Sequence, residues 1–278
     1  MFKTMLLSII LYLVAVCGFS DGSATDELGS PLQPRIIGGR NATQNEFPFV
    51  VAILYKGRRE CTGTIIARKF ILTAGHCVIN VSRDDITVKA GFYIWEDKNA
   101  IFRDVRGIRV HPQYRIHNRT SIDIALVKMR HRLDYNRAVQ PLSLPAFRGK
   151  LPVGTKATFV GWGFSQFQPY ITHPRILQAM DLTTISRQDC IYFWLYLDIN
   201  TICASSQTSS AIPFKDACRG DSGGPLVVGN MQWGMNTRGS TNCSGLDPIK
   251  FIEVSRFSKW IRTTISRDYY KKRTTCRM

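Results

Sequence analysis

The sequence predicts an all-β domain, and three observations support this prediction. Short runs rich in β-branched and aromatic residues alternate with turns that contain Gly, Pro and Asn. Few stretches keep the apolar period of an amphipathic helix. One all-β domain can fill about 200–250 residues, which is most of the length of this chain. The predicted strands cover residues 49–55, 64–73, 86–90, 124–128, 157–162 and 226–228.

The N-terminal segment has the pattern of a secretory signal peptide. Lys3 precedes an almost uninterrupted apolar stretch from Met5 to Val16, and small residues follow up to Ser20. A membrane anchor is the alternative, but the apolar stretch is shorter than the roughly 20 residues that cross a bilayer. We therefore expect residues 1–20 to be removed and the mature protein to be secreted and extracellular.

One stretch near the C-terminus does keep a helical period. Residues 256–267 place four apolar side chains on one face, namely Phe257, Trp260, Ile261 and Ile265. This pattern predicts a helix. The residues that follow, 269–278, are strongly basic, and we expect them to form a mobile tail.

Three short motifs contain the residue types that nucleophilic catalysis needs. In Gly-Asp-Ser-Gly-Gly, glycines flank Ser222 and allow a turn that would aim the N–H groups of Gly220 and Ser222 at one oxyanion. His76, in Thr-Ala-Gly-His-Cys, is a candidate general base, and Asp123, in Asp-Ile-Ala-Leu, is a candidate carboxylate to orient it. Each motif alone also occurs in ordinary turns and surfaces. Their joint occurrence, in the order His, Asp, Ser, predicts catalysis by an activated serine.

With these three motifs, the chain resembles the trypsin/chymotrypsin family of serine proteases from Ile36 to about Ser266. The resemblance implies two packed six-stranded antiparallel β-barrels of the chymotrypsin type with a C-terminal helix, over residues 36–268, and an active site in the crevice between them. It makes Ser222 the nucleophile, His76 the general acid and base, and Asp123 the group that orients the imidazole. The first barrel would supply His76 and Asp123, and the second would supply Ser222.

The resemblance also implies a zymogen. Residues 21–35 would be an activation propeptide, ending in Arg35 before the sequence Ile-Ile-Gly-Gly. Cleavage after Arg35 would free the amine of Ile36 to pair with Asp221, the residue before the nucleophile. Because a buried carboxylate needs a cationic partner, this pair would order the pocket and the oxyanion loop only after cleavage.

The chain has eight cysteines, one of them in the signal peptide, and a secreted protein is expected to form disulfides. The resemblance implies the pairs Cys61–Cys77, Cys190–Cys203 and Cys218–Cys243. Cys276 is left over, and we expect it to be free or joined to another chain. Four Asn-X-Ser/Thr sequons are candidates for glycosylation, at Asn41, Asn80, Asn118 and Asn242.

The residues that the resemblance assigns to the substrate pocket have conflicting implications for substrate binding. Asp216 would lie at its base and select Lys or Arg by charge, and Ala217 is compatible with that role. Ile249 stands where a wall glycine is usual, and Arg238 with Gly239 replaces an apolar platform by a cation. We expect a slow, selective trypsin-like enzyme with a narrowed pocket. The alternative is a weakly active or inactive protease-like protein that binds polyanions or protein partners.

The composition indicates which partners suit the chain. The formal net charge of +17 favours association with polyanions, although a purely solubilising role is an alternative. Sulfated glycans or other anionic surfaces are better candidates than nucleic acid, because no nucleic-acid recognition motif is present. Protein or peptide substrates and an activating protease are the other expected partners. Phe92 stands where calcium-binding relatives place an acidic ligand, so we expect no metal site and no cofactor.

Overall fold

The computed structural model describes residues 39–114, 122–163, 173–194, 197–206, 217, 220–237 and 247–275, the last seven of these by their backbone alone. The described residues form two closed six-stranded antiparallel β-barrels, which confirms the predicted fold class. Both barrels belong to one compact unit, residues 34–278.

The first barrel is closed by strands β2 to β7, in the order β2-β3-β4-β7-β6-β5. Their interior is filled by a large apolar cluster of Val, Ile and Leu side chains. The strands are β2 Val50–Tyr55, β3 Arg58–Ala67, β4 Phe70–Thr73, β5 Ile86–Ala90, β6 Ile101–Val110 and β7 Ala125–Met129.

The second barrel is closed by strands β8 to β13, because β8 pairs with both β9 and β11. A short strand, β1 Arg40–Asn41, adds to the edge of β9. The barrel strands are β8 Lys156–Gly161, β9 Gln178–Ile185, β10 Thr201–Ser205, β11 Pro225–Val228, β12 Met231–Asn236 and β13 Ile249–Glu253.

The strand predicted over residues 64–73 is in fact the hairpin of β3 and β4. Ala67 pairs with Phe70, so Arg68 and Lys69 form a two-residue turn. The apolar residues on both sides of this basic pair are buried against each other in the barrel wall, whereas one continuous strand of that length would extend past it. The prediction of one strand here was wrong.

The described residues include two α-helices. Helix α1, Arg187–Phe193, begins after Ser186, whose side chain accepts a hydrogen bond from the backbone N–H of Asp189. Helix α2, Ser258–Thr275, follows a 3₁₀ turn over Val254–Phe257. The predicted helix therefore exists but continues past residue 267 into the segment expected to be a mobile tail. Among the described residues no helix is long and apolar enough to cross a membrane.

Two disulfides join described cysteines, Cys61–Cys77 in the first barrel and Cys190–Cys203 in the second. Both are pairs that the resemblance implies. Cys218, Cys243 and Cys276 lie outside the described residues.

Candidate active site

His76 and Asp123 form a close pair at one end of the first barrel. The imidazole Nδ1 lies 2.6 Å from Asp123 Oδ2, and the backbone N–H of His76 donates to Asp123 Oδ1 at 2.8 Å. A Cβ added to Gly75 would lie 3.0 Å from Asp123 Oδ1, so the glycine leaves room for the carboxylate. This arrangement holds the proton on Nδ1 and leaves Nε2 as the proton acceptor.

The pairing of two strands brings these residues together across 47 positions of sequence. His76 lies in a 3₁₀ turn that follows β4, and Asp123 lies just before β7. Thr73 at the end of β4 pairs with Ala125 at the start of β7. Because the strands are antiparallel, the end of β4 and the start of β7 share one edge of the barrel.

Ser222 lies in a tight turn before β11 whose shape requires glycine. Gly220 has φ +94° and Gly223 has φ +84°, both in the region that other residues rarely adopt. A Cβ added to Gly223 would lie only 2.1 Å from the carbonyl oxygen of Thr62. The glycines around Ser222 therefore permit both the turn itself and its close approach to the first barrel.

Thr62, fully buried in β3, holds the Ser222 loop against the first barrel. Its backbone N–H donates to the carbonyl of Ser222 at 2.9 Å. Its hydroxyl donates to the carbonyl of Gly220 at 2.8 Å and accepts from the N–H of Trp162 at 3.1 Å. Thr62 could not be identified from the sequence, because a threonine inside a strand carries no functional signal there.

The neighbouring cysteine locates Ser222 relative to His76. The Cys77 sulfur lies 3.7 Å from His76 Nε2 and 3.9 Å from the carbonyl oxygen of Ser222. The structure thus brings His76, Asp123 and Ser222 to one place, although no hydrogen bond among the described residues joins Nε2 to the Ser222 hydroxyl. Catalytic hydrogen bonds are often long before substrate binds. Because Cys61 and Cys77 form a disulfide, their sulfurs are not thiolate ligands for a metal beside His76.

The carboxylate of Asp221 is fully buried behind the Ser222 loop. It accepts a hydrogen bond from the N–H of Gly163 at 2.8 Å. A Cβ added to Gly161 or Gly163 would lie within 2.0 Å or 2.3 Å of this carboxyl group. These two glycines, which no sequence motif marks, make the space that the carboxylate occupies. Arg35 and Ile36 lie outside the described residues.

Arg59 lies in an aromatic environment near the same carboxylate. Its guanidinium stacks on the Trp95 ring, 3.6 Å from the centroid, and donates to the Trp162 carbonyl at 3.3 Å. Burial lowers the pKa of Arg59 to about 10, and the negative charges of Glu96 and Asp221 oppose that shift. The positive charge of Arg59 and the negative charge of Asp221 therefore attract each other.

Phe92 serves as a packing residue in this region. Its ring stacks on Trp162 with the centroids 4.5 Å apart and the planes within 11°. Lys89 is also buried here, and its ammonium lies 4.3 Å from the centroid of the Phe92 ring. Burial lowers the pKa of Lys89.

Two of the residues assigned to the substrate pocket are described. Ile249, at the start of β13, is 4% exposed, and Ala217 is fully buried. Both belong to the apolar cluster that fills the second barrel. Asp216, Arg238 and Gly239 lie outside the described residues.

Of the four candidate glycosylation sites, two lie among the described residues. Asn80 is exposed, with φ +57°. Asn41 is half-buried in β1, and its side-chain oxygen accepts a hydrogen bond from Gln178 at 2.8 Å. Asn118 and Asn242 lie outside the described residues.

Two antiparallel barrels, with a His–Asp pair on one and a glycine-flanked serine on the other, define a serine hydrolase of the chymotrypsin type. Comparison with known proteins gives the family. The family model described as Trypsin matches residues 36–261. The chain belongs to the trypsin family of serine proteases.

Individual relatives agree with this assignment. Mouse cathepsin G is 33% identical over 84% of this chain and 86% of its own length. Trypsin alpha of Drosophila melanogaster is 28% identical over 93% of this chain and 98% of its own length. Venom serine protease 34 of Apis mellifera is 30% identical over 82% of this chain. The match covers only 58% of the length of that relative.

A solved structure shows the same fold. Neuropsin, a serine protease expressed in the limbic system of mouse brain, superposes with a TM-score of 0.72 at 27% identity. The match covers 82% of this chain and 98% of neuropsin.

Proposed function

We propose that this trypsin-family serine protease is a secreted endopeptidase, made as a zymogen, that hydrolyses peptide bonds through an acyl-enzyme. The observation that carries the proposal is the 2.6 Å contact between His76 Nδ1 and Asp123 Oδ2, beside the loop of Ser222. A neutral imidazole with its Nδ1 proton held by a carboxylate is ready to accept a proton at Nε2.

The chemistry runs in two halves. Ser222 Oγ attacks the peptide carbonyl while His76 Nε2 takes its proton, and the N–H groups of Gly220 and Ser222 stabilise the oxyanion. The C–N bond then breaks as His76 returns the proton to the leaving amine. Water then attacks the ester carbonyl as His76 takes its proton, and the bond between the acyl carbon and Ser222 Oγ breaks as His76 returns that proton to Oγ. Asp123 stabilises the imidazolium at both stages without itself being protonated.

Activation by cleavage after Arg35 is part of the proposal. The buried carboxylate of Asp221 supports it, because such a group is stable only with hydrogen bonds and a nearby positive charge. The amine of Ile36, released by an activating protease, would add a positive charge to that of Arg59. The ordering of the Ser222 loop would follow from it.

The proposed specificity is for Lys or Arg before the cleaved bond, with Asp216 at the base of a narrowed pocket. The burial of Ile249 together with Ala217, which adjoins Asp216 in sequence, supports a branched side chain near the pocket. Arg238 would add a cation that competes with the substrate for Asp216. Small arginine substrates should therefore be cleaved slowly.

The test is hydrolysis of a peptide library by the Arg35-cleaved protein. We expect cleavage after Lys or Arg that disappears in Ser222→Ala, and about tenfold higher kcat/KM on small arginine substrates in Ile249→Gly, since overpacking of about 1–3 kcal/mol is removed. Ile202→Gly is the matched control, because Ile202 lies on the paired strand β10 against the same cluster. No hydrolysis by the cleaved wild type would contradict the proposal, and equal gains in both variants would contradict the narrowed pocket.

A further inference from the structure

Strand β6 presents arginines on the outer wall of the first barrel. Along β6, Phe102, Asp104 and Arg106 are exposed at alternate positions. A β-bulge then shifts the register, because Val105 and Gly107 pair with consecutive residues of β7 and leave one residue extra. The alternation therefore moves by one position, and Arg109 joins Arg106 on the exposed side.

The two arginines border a cavity of about 180 Å³ between β6, the turn before β5 and helix α2. Its lining comprises four basic residues and one acidic residue, with the full set being Phe70, Arg83, Arg106, Gly107, Arg109, Lys128, Thr264 and Asp268. Helix α2 continues with lysines at positions 271 and 272, which fall on the same helical face as 264 and 268.

The acidic residues near this cavity pair with Lys128 and Arg83. Asp268 forms an ion pair with Lys128. Arg83 lies 3.7 Å from Asp84 and also donates to the backbone carbonyl of Arg106 at 3.0 Å. Within the described part of the chain, no carboxylate forms an ion pair with Arg106 or Arg109. Arg109 Nη1 donates to the backbone carbonyl of Ile108 at 3.0 Å. The other N–H groups of Arg109 and the guanidinium of Arg106, which line the same cavity, remain available to an external anion.

The size of the cavity limits what it can hold. Pockets for whole small molecules are about 300–1,000 Å³, so 180 Å³ suits one anionic group of a larger ligand. Guanidinium groups bind tetrahedral oxyanions with paired hydrogen bonds. The cavity fits a single sulfate or phosphate group, held by Arg106 and Arg109.

A second cavity beside β6 adds the cations Lys69 and Arg103, whereas its Arg132 is paired with Asp134 at 3.1 Å. It has a volume of about 580 Å³ and is lined by Lys69, Phe102, Arg103, Asp104, His131, Arg132 and Asp134. Arg103 and Arg106 are three residues apart, or about 10 Å along the strand. A polymer with repeated anionic groups can occupy both cavities at once, whereas an isolated anion occupies one.

We propose that this β6 cationic surface, formed by the two cavities, binds a sulfated polysaccharide and seats one sulfate group between Arg106 and Arg109. Single-stranded nucleic acid binds by stacking on a series of aromatic side chains, and the described lining of the two cavities offers only Phe102 and His131 as exposed rings. Amphipathic segments that bind membrane surfaces insert apolar side chains, and in the described lining Phe102 is the one exposed large apolar side chain, because Phe70 is buried. Arg106 and Arg109 have no part in the catalytic machinery, so binding here is independent of hydrolysis at Ser222.

The test compares two double variants of the full chain that lose the same charge. Arg106→Gln/Arg109→Gln removes the sulfate-binding pair. Arg148→Gln/Lys150→Gln removes two exposed cations that line neither cavity. Binding to immobilised heparin is measured at about 0.15 M salt and at higher salt. We expect at least about tenfold weaker binding in the first variant and less than about threefold in the second, with wild-type affinity falling steeply as salt rises.

Three outcomes would overturn the proposal. One is an equal loss in the two variants, which would show a response to net charge without a site. The second is wild-type binding to desulfated heparin as tight as to heparin. The third is tighter binding to single-stranded DNA or phosphatidylserine vesicles than to heparin. Thermal unfolding checks the fold of each variant, and if the double variant does not fold, Arg106→Gln alone should weaken binding at least about threefold.

Discussion

At the scale of single residues, two threonines of β3 show how position decides the role of a side chain. Thr62 and Thr64 are both fully buried and lie two residues apart, on the same face of the strand. The hydroxyl of Thr62 bridges Gly220 and Trp162, whereas the hydroxyl of Thr64 has no hydrogen-bond partner among the described residues. Replacement by Val should therefore be harmful at Thr62 and tolerated at Thr64.

We predict that Thr62→Val lowers both stability and activity. It leaves the Gly220 carbonyl and the Trp162 N–H without their partner, at a cost of about 1–3 kcal/mol, and loosens the loop of Ser222. The kcat should fall by about tenfold or more while KM changes little, because the oxyanion donors are displaced. Denaturant unfolding and steady-state kinetics on the Arg35-cleaved protein measure the two effects.

Thr64→Val is the matched control. Removing a buried hydroxyl without a partner should leave stability unchanged or raise it, with kcat unaffected. Equal losses in the two variants would mean that Thr62 acts through packing alone and does not position the Ser222 loop.

These residues also show what the sequence reveals about the site. His76, Asp123 and Ser222 were identifiable because each lies in a short motif and the three share one order along the chain. Thr62 was not, because Thr62 and Thr64 look alike in the sequence and only the contact between the barrels separates them. Gly161 and Gly163 were missed for the same reason, since the carboxylate they accommodate is distant in sequence.

At the scale of elements, His111 links the end of β6 to the C-terminal helix. Its ring lies 5.5 Å from Phe257 and 4.9 Å from Trp260. Its Nδ1 accepts the backbone N–H of Gln113 at 3.3 Å, which requires an unprotonated Nδ1. Burial lowers the pKa of His111. The neutral imidazole is therefore the form that packs against the helix.

We predict that His111 makes the protein less stable in mild acid. Because its pKa is lower in the folded state, the unfolded chain takes up the proton first as pH falls below about 6.5. Stability is thus fully present above that pH and is lost as pH falls through the folded-state pKa. His173, whose pKa is lowered by burial and by Arg59, acts in the same direction.

His111→Phe keeps an aromatic ring against the helix and removes the titration. The unfolding temperature should therefore fall less between pH 7 and pH 5 in this variant than in the wild type. Thermal unfolding across that range measures the difference, with His131→Phe as the control because His131 is exposed. A wild-type fall that His111→Phe does not reduce would contradict the prediction.

The strands and the helix that were predicted correctly are those whose apolar pattern in the sequence matches their final bounds. Ile86–Ala90 has the predicted bounds because its apolar residues end at turns on both sides. Ile101–Val110 was missed because its bulge interrupts the alternation that marks a strand. Helix α2 was predicted only as far as its apolar face extends, whereas its last turns are polar and carry no period that marks burial.

At the scale of the whole molecule, the active site exists only because two barrels meet. The His–Asp pair depends on β4 and β7 of the first barrel, and the serine turn precedes β11 of the second. Thr62 crosses between them, and Asp221 is buried behind the turn. The resemblance to a family predicted the two barrels, whereas composition and periodicity alone predicted only an all-β domain.

We propose that Ser222 becomes an activated nucleophile once the chain is cut after Arg35. Labelling with a fluorophosphonate tests it most directly, because this reagent reacts only with a serine that a general base has activated. Intact wild type, trypsin-cleaved wild type, and Arg35→Gln exposed to the same trypsin are compared, with trypsin then inhibited and the labelled residue located by peptide mass spectrometry. We predict labelling at Ser222 in the cleaved wild type alone. Absence of label at Ser222 after cleavage between Arg35 and Ile36, or equal labelling of the uncut Arg35→Gln variant, would contradict the account.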